Sequence, residues 1–141
     1  MKIIANKIKS GDEVRIIAPS QSLHIISKEN IALAISLLES LGLKITFGKN
    51  VNEVDLMNSS SIKSRIQDLH DAFSNPKVKA ILTVIGGFNS NQLLKHIDYG
   101  LIKRNPKIFC GFSDITALQN AIFHKTNLVT YSGPHFSTFA M

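Results

Sequence analysis

The sequence has no tryptophan and a single cysteine, Cys110, so no internal disulfide can brace it, as suits a reducing compartment. No run approaches the roughly 18 consecutive apolar residues that a membrane-spanning helix needs. The opening residues, Met1 to Lys7, lack the apolar core and small-residue cleavage site of a signal peptide. A cytoplasmic protein with no membrane role is the expectation. There is no G-x-G-x-x-G and no Walker lysine, which disfavours a phosphate-cradling loop. None of His24, His70, His96, His124 and His135 falls in a metal-ligand spacing with cysteine or carboxylate, so neither a metal nor a cofactor is expected.

Acidic residues are the scarcer charge, ten against sixteen basic, for a formal net charge of +6. The surplus comes from scattered lysines such as Lys2, Lys7, Lys9, Lys44, Lys49, Lys63, Lys77, Lys79, Lys103 and Lys107, with few arginines, Arg15 and Arg104 among them. Nucleic-acid surfaces cluster their cations and interleave arginine or aromatics. The pattern here reads as a solvated lysine-rich surface with no nucleic-acid partner, one that can still attract an anionic small molecule.

What is present fits one domain, since 141 residues at 44% hydrophobic content bury a sizeable core but are short for two. Val14 to Ala18 is an apolar, β-branched run ended by Pro19, and the polar loop Ser20, Gln21, Ser22, His24 follows it. From Lys28 the period changes: Ile31, Ala34, Ile35, Leu38 and Leu41 share one helical face, which Leu33 and Leu37 widen, and Gly42 stops the helix. Leu43 to Phe47 is a second strand. Ser59, Ser60 and Ser61 offer N-caps for a helix carrying Ile62, Ile66, Leu69, Ala72 and Phe73. Val78 to Ile85 is the most strand-like run and ends in Gly86-Gly87. Ser90 can cap a short helix through Leu93, Leu94 and Ile97; Tyr99, Leu101 and Ile102 cover the sheet. Ile108 to Cys110 is a fourth strand, Asp114 to Thr126 a helix, and Leu128 to Tyr131 a fifth strand. Strands alternating with helices predict an α/β fold with a mostly parallel sheet of about five strands and helices on its faces.

In such sheets the functional loops sit at the C-terminal ends of the strands. One runs Gly111-Phe112-Ser113-Asp114: strand, tight turn, serine, helix. That order places a hydroxyl beside a helix N-terminus, where free N–H groups can stabilise an oxyanion, as in a nucleophile elbow. The spacing is equally that of a serine N-cap followed by a dipole-complementing aspartate, and Ile115 stands where the elbow's second glycine would be. Gly86-Gly87 lets backbone approach a ligand and aim N–H groups at it; a tight strand-to-helix turn explains the pair as well. His135 is the best local candidate for a base, though no carboxylate nearby would orient it. Cys110 reads as a small core residue.

Several segments together resemble the LD-carboxypeptidase family of serine peptidases. They are Gly11-Asp-Glu-Val-Arg-Ile-Ile-Ala-Pro-Ser20, Ile85-Gly-Gly-Phe-Asn-Ser-Asn-Gln-Leu-Leu94, Asp98-Tyr99, Asn105 to Leu118 and Ser132-Gly-Pro134. The Gly-Gly-Phe-Asn-Ser-Asn form is most similar to the microcin C immunity branch. The resemblance implies a flavodoxin-like, three-layer N-terminal domain in which Ser113 is the nucleophile. Backbone N–H groups of Gly87 and Asp114 would form the oxyanion hole, and Gly86, Phe88, Asn89 and Ser20 would line the substrate. It further implies cleavage of a small peptide or peptidyl-nucleotide substrate through an acyl-enzyme without a metal, in murein recycling or in immunity to an aminoacyl-adenylate-like antibiotic.

In that family the glutamate and histidine that complete the triad belong to a C-terminal domain. None of Glu13, Glu29, Glu39, Glu53 or His135 takes those positions. Residues 1–141 are therefore expected to be the nucleophile-bearing N-terminal domain without its C-terminal partner, inactive or nearly so when isolated. A non-catalytic ligand-binding module, or one that pairs with itself into a homodimer, is the alternative.

Overall fold

The computed structural model describes residues 1–141. Five strands, β1 (Glu13–Ile17), β2 (Lys44–Phe47), β3 (Val78–Thr83), β4 (Ile108–Gly111) and β5 (Tyr131–Ser132), form one sheet in the order β2-β1-β3-β4-β5. All four pairings are parallel. This is the flavodoxin-like order, with its switch point between β1 and β3.

The helices α1 (Lys28–Ser40), α2 (Ile62–Ser74), α3 (Tyr99–Arg104) and α4 (Thr116–Thr126) cover both faces. Strand alternation sends Val14, Ile16, Ala80 and Leu82 to one side, against Ala34 and Leu38 of α1 and Phe136 of the closing 3-10 segment Phe136–Ala140. It sends Ile17, Ile81 and Phe109 to the other, against Leu69, Ala72 and Phe73 of α2, Ile102 of α3, and Leu118 and Ile122 of α4. Val78 breaks the alternation because Glu13 pairs with Val78 and Val14 with Ala80, so Lys79 is an extra residue in β3.

The helix ends follow the local chemistry. Ser27 and Ser61 accept from the N–H groups of Asn30 and Ser64, and Gly42 leaves α1 at φ +87° with its N–H on the Glu39 carbonyl. Several sequence expectations are corrected. Leu33, Leu37 and Leu41 are 50%, 44% and 60% exposed, since α1 lies on the sheet through Ala34 and Leu38, with Ile31 and Ile35 partly buried beside them. Ser90 caps nothing; its hydroxyl donates to the Asp114 carbonyl at 2.7 Å. β5 begins only at Tyr131, whose carbonyl accepts from the Gln119 amide at 2.7 Å, and Leu128 makes a single bridge with Ile3. Cys110 is half-buried. Lys107 is buried, its ammonium donating to the Ala72 and Asn75 carbonyls at the end of α2.

Candidate active site

The elbow is built by a forced sequence of backbone states. Gly111 ends β4 where any Cβ would overlap the Thr83 hydroxyl. Phe112 is extended, at φ −152°, and Ser113 then takes φ +60°, a left-handed conformation that costs a non-glycine residue about 1–3 kcal/mol. A 3-10 turn, Ser113–Ile115, leads into α4. Ile115 replaces the elbow's second glycine because its side chain is a fully buried part of the core beneath the turn.

The capping explanation of Ser113 does not hold. Neither the 3-10 turn nor α4 has a side-chain cap, and Ser113 is exposed. The strain therefore presents a free hydroxyl at the strand ends.

Gly86 lies directly against that hydroxyl. A Cβ added at Gly86 would stand 3.2 Å from Ser113 Cβ, 3.3 Å from Ser113 Oγ and 3.7 Å from the Asp114 nitrogen. At Gly87 a Cβ would overlap Ser20 Oγ and come within 2.9 Å of Gln21 Cγ. Close approach excludes a side chain at Gly87, against the loop after β1, and crowds one at Gly86, against the elbow.

A polar knot fixes these loops to one another. Asp114 Oδ2 accepts from the Ser20 hydroxyl at 2.7 Å and from the Ser90 N–H at 2.9 Å. Asn89 donates to the Ser59 hydroxyl at 2.8 Å, and Ser20 also lies 3.4 Å from Asn89 Oδ1. One carboxylate therefore joins the ends of β1, β3 and β4. Of the proposed substrate-lining residues, Phe88 and Gly87 are exposed, whereas Gly86, Ser20 and Asn89 are buried, the last two with their polar groups turned into the knot.

Two groups escaped the sequence reading. Arg65 on α2 is only 4% exposed. Its Nε donates to the Ser60 carbonyl at 2.9 Å, Nη1 to the carbonyls of Pro19 and Asn89 at 3.2 and 3.3 Å, and Nη2 to Gln92 Oε1 at 2.7 Å. Burial lowers its pKa, opposed by the charges of Asp55 and Asp114. Asp68, also on α2, accepts from the Asn50 N–H and side-chain amide, both at 2.9 Å, and burial raises its pKa against those bonds. The available signal was positional: Arg65 and Asp68 interrupt the apolar face marked by Ile62, Ile66, Leu69 and Phe73, where an unpaired charge is not tolerated.

His135 is not positioned as a base. It is 2% exposed, its Nδ1 lies 2.7 Å from the Thr83 hydroxyl, its ring stacks on Phe112 at 4.2 Å, and Nε2 is buried without a hydrogen-bond partner. Burial lowers its pKa, and the nearby Phe112 carbonyl offsets this only in part. It serves as the wall behind the elbow. Two lysine-lined clefts of about 390 and 410 Å³ open elsewhere, at the N-terminal ends of the strands among Lys7, Lys9, Lys44, Lys77, Lys79 and Lys107. Ser113 instead stands on an open surface with Gly87, Phe88 and Phe112.

Residues 14–133 match the LD-carboxypeptidase N-terminal domain. This chain belongs to the LD-carboxypeptidase family. YocD of Bacillus subtilis (strain 168) is 61% identical over 137 residues, which are 97% of this chain and 42% of YocD. The crystal structure of an MccF-like protein from Bacillus anthracis superposes with a TM-score of 0.98 at 60% identity, over 99% of this chain and 42% of that one. A structure of the microcin C7 self-immunity protein MccF in complex with aspartyl sulfamoyl adenosine gives a TM-score of 0.93 at 34% identity, again over 99% and 42%. The chain thus spans about two-fifths of the length of the family members it matches. No helix is long and apolar enough to cross a membrane.

Proposed function

We propose that residues 1–141 carry the nucleophile of a cytoplasmic serine hydrolase that cleaves a small peptide or acyl-adenylate-type amide bond. Ser113 Oγ attacks the carbonyl carbon, its proton passes to a base, and the negative oxygen is held by the N–H groups of Gly87 and Asp114. The leaving amine departs protonated, and water then cleaves the Ser113 ester. Gly86 leaves room for the tetrahedral carbon, Phe88 offers an apolar contact, and Ser20 and Asn89 shape the substrate wall from behind. The observation that carries this reading is Ser113 itself: a strained, uncapped, exposed serine with a glycine pressed against its hydroxyl.

No side chain of these 141 residues stands beside Ser113 as a base. We expect the base from the part of the family's length that these residues do not span, so the chain by itself should hydrolyse slowly or not at all. The substrate class is supported by the family and by the aspartyl sulfamoyl adenosine in the MccF complex. The exposed Phe88 and Phe112 form the rim such a partner would cover, and in the isolated chain they favour self-association, which light scattering tests.

The decisive assay joins these residues to the C-terminal part of YocD. The chimera should hydrolyse an L,D-tetrapeptide or an aminoacyl sulfamoyl adenosine, the chain alone should not, and Ser113→Ala should abolish turnover. Turnover that survives Ser113→Ala rules the assignment out. Saturable ligand binding without turnover in the chimera would favour the non-catalytic module.

A further inference from the structure

The peptide unit between Asn89 and Ser90 is held at both ends. Its carbonyl oxygen accepts from Arg65 Nη1 at 3.3 Å, and its N–H donates to Asp114 Oδ2 at 2.9 Å. A cation thus pulls on the C=O and an anion on the N–H, each aligned with the peptide dipole, and each polarising the other's bond. Arg65 and Asp114 share no direct hydrogen bond and belong to different elements, α2 and the elbow. Both ends are otherwise anchored: the guanidinium reaches Pro19 after β1 and Ser60 before α2, while the carboxylate takes the Ser20 hydroxyl.

The geometry points to Arg65 and Asp114 as one positioning unit that acts through the Asn89–Ser90 peptide to hold the Gly86–Ser90 segment in register with the elbow. This rests on the reading of Ser113 as nucleophile and deepens it. The N–H of Gly87 comes from a glycine pair in the clamped segment, and the N–H of Asp114 from the residue that does the clamping. A single shift of the clamp therefore moves the two oxyanion donors relative to each other.

The clamp is tested on the 141-residue chain by amide NMR. An N–H donating to a carboxylate within a polarised peptide resonates downfield, and the Ser90 amide should do so. Asp114→Asn should move it upfield, and so should Arg65→Lys, although Arg65 does not touch that N–H. A Ser90 amide unmoved by Arg65→Lys in a folded chain overturns the proposal. Should Arg65→Lys fail to fold, Gln92→Ala frees the guanidinium from its exposed acceptor and carries the same test with a smaller shift.

The functional half is read in the YocD chimera by titrating a peptidyl boronic acid and following the tetrahedral ¹¹B signal of its Ser113 adduct. Each single variant should weaken adduct formation by about tenfold, and the double variant by little more, because either change already releases the clamp. Additive losses, or none, contradict the positioning role. An adduct that forms in Ser113→Ala, or none in the unaltered chimera, defeats the nucleophile reading instead, and the Ser90 shifts still decide the clamp.

Discussion

Gly86→Ala puts one methyl group into the space beside the Ser113 hydroxyl. The added carbon would lie 3.2 Å from Ser113 Cβ and 3.3 Å from Ser113 Oγ, closer than the roughly 3.5–4.0 Å at which carbon contacts become favourable. The neighbour must yield by a few tenths of an ångström. Ser113 has little freedom to do so, since its φ of +60° is already strained and Ile115 locks the turn into the core. Overpacking of this kind should lower stability by about 1–2 kcal/mol. The functional loss should be larger. An oxyanion needs to sit about 3 Å from the Asp114 nitrogen, and the methyl at 3.7 Å from that nitrogen competes for the same wedge. Displacement and obstruction together should reduce chimera turnover, or boronate affinity, by about 10²-fold, with the melting transition still cooperative. A Gly86→Ala protein as active as its parent would refute the placement of the tetrahedral intermediate between Gly86 and Ser113.

Three other changes probe separate parts of the account. Ser113→Gly relieves the left-handed strain and should raise stability by about 0.5–1 kcal/mol in chemical denaturation while removing the nucleophile; a less stable variant would mean that the conformation is not strained. Burial lowers the Lys107 pKa from 10.5 to about 8, so the folded chain holds that proton less tightly than the unfolded one. Its stability should climb as pH rises from about 8 to 10.5, by about 1–2 kcal/mol, since solvent screening and the two carbonyls that accept from the charged ammonium reduce the full effect. Denaturation curves of Lys107→Met should lack that climb, and an identical climb would rule out Lys107 as its source. His135, with its pKa below the usual 6.5, is likewise reluctant to protonate when folded, so stability should fall as the medium is acidified below pH 6.5. His135→Gln should flatten that slope, and a slope unchanged would show that another group governs it.

The fold was legible because its signals are local. β-branched runs, a 3.6-residue period on α1 and α2, and glycine or proline stops suffice to place strands and helices to within a few residues. The parallel order follows from their alternation, and the turn at Ser113 from glycine, serine and a helix start in sequence. What periodicity could not resolve was which apolar residues a helix turns outward, as at Leu33 and Leu37, where tertiary contact decides. Nor could spacing separate cap from nucleophile at Ser113, because that depends on one backbone angle and on Gly86 arriving from another strand. Arg65 was missed for a related reason. Its partners Pro19 and Asn89 are 46 and 24 residues away, and only its place on an apolar helix face hinted at burial.

A nucleophilic Ser113 becomes covalently acylated at Oγ during turnover. Mass spectrometry of the chimera quenched during turnover tests it directly. An acyl group should appear on the peptide that contains Ser113 and be lost in Ser113→Ala together with hydrolysis. Steady turnover with that peptide unmodified, or an adduct on any other residue, would contradict it.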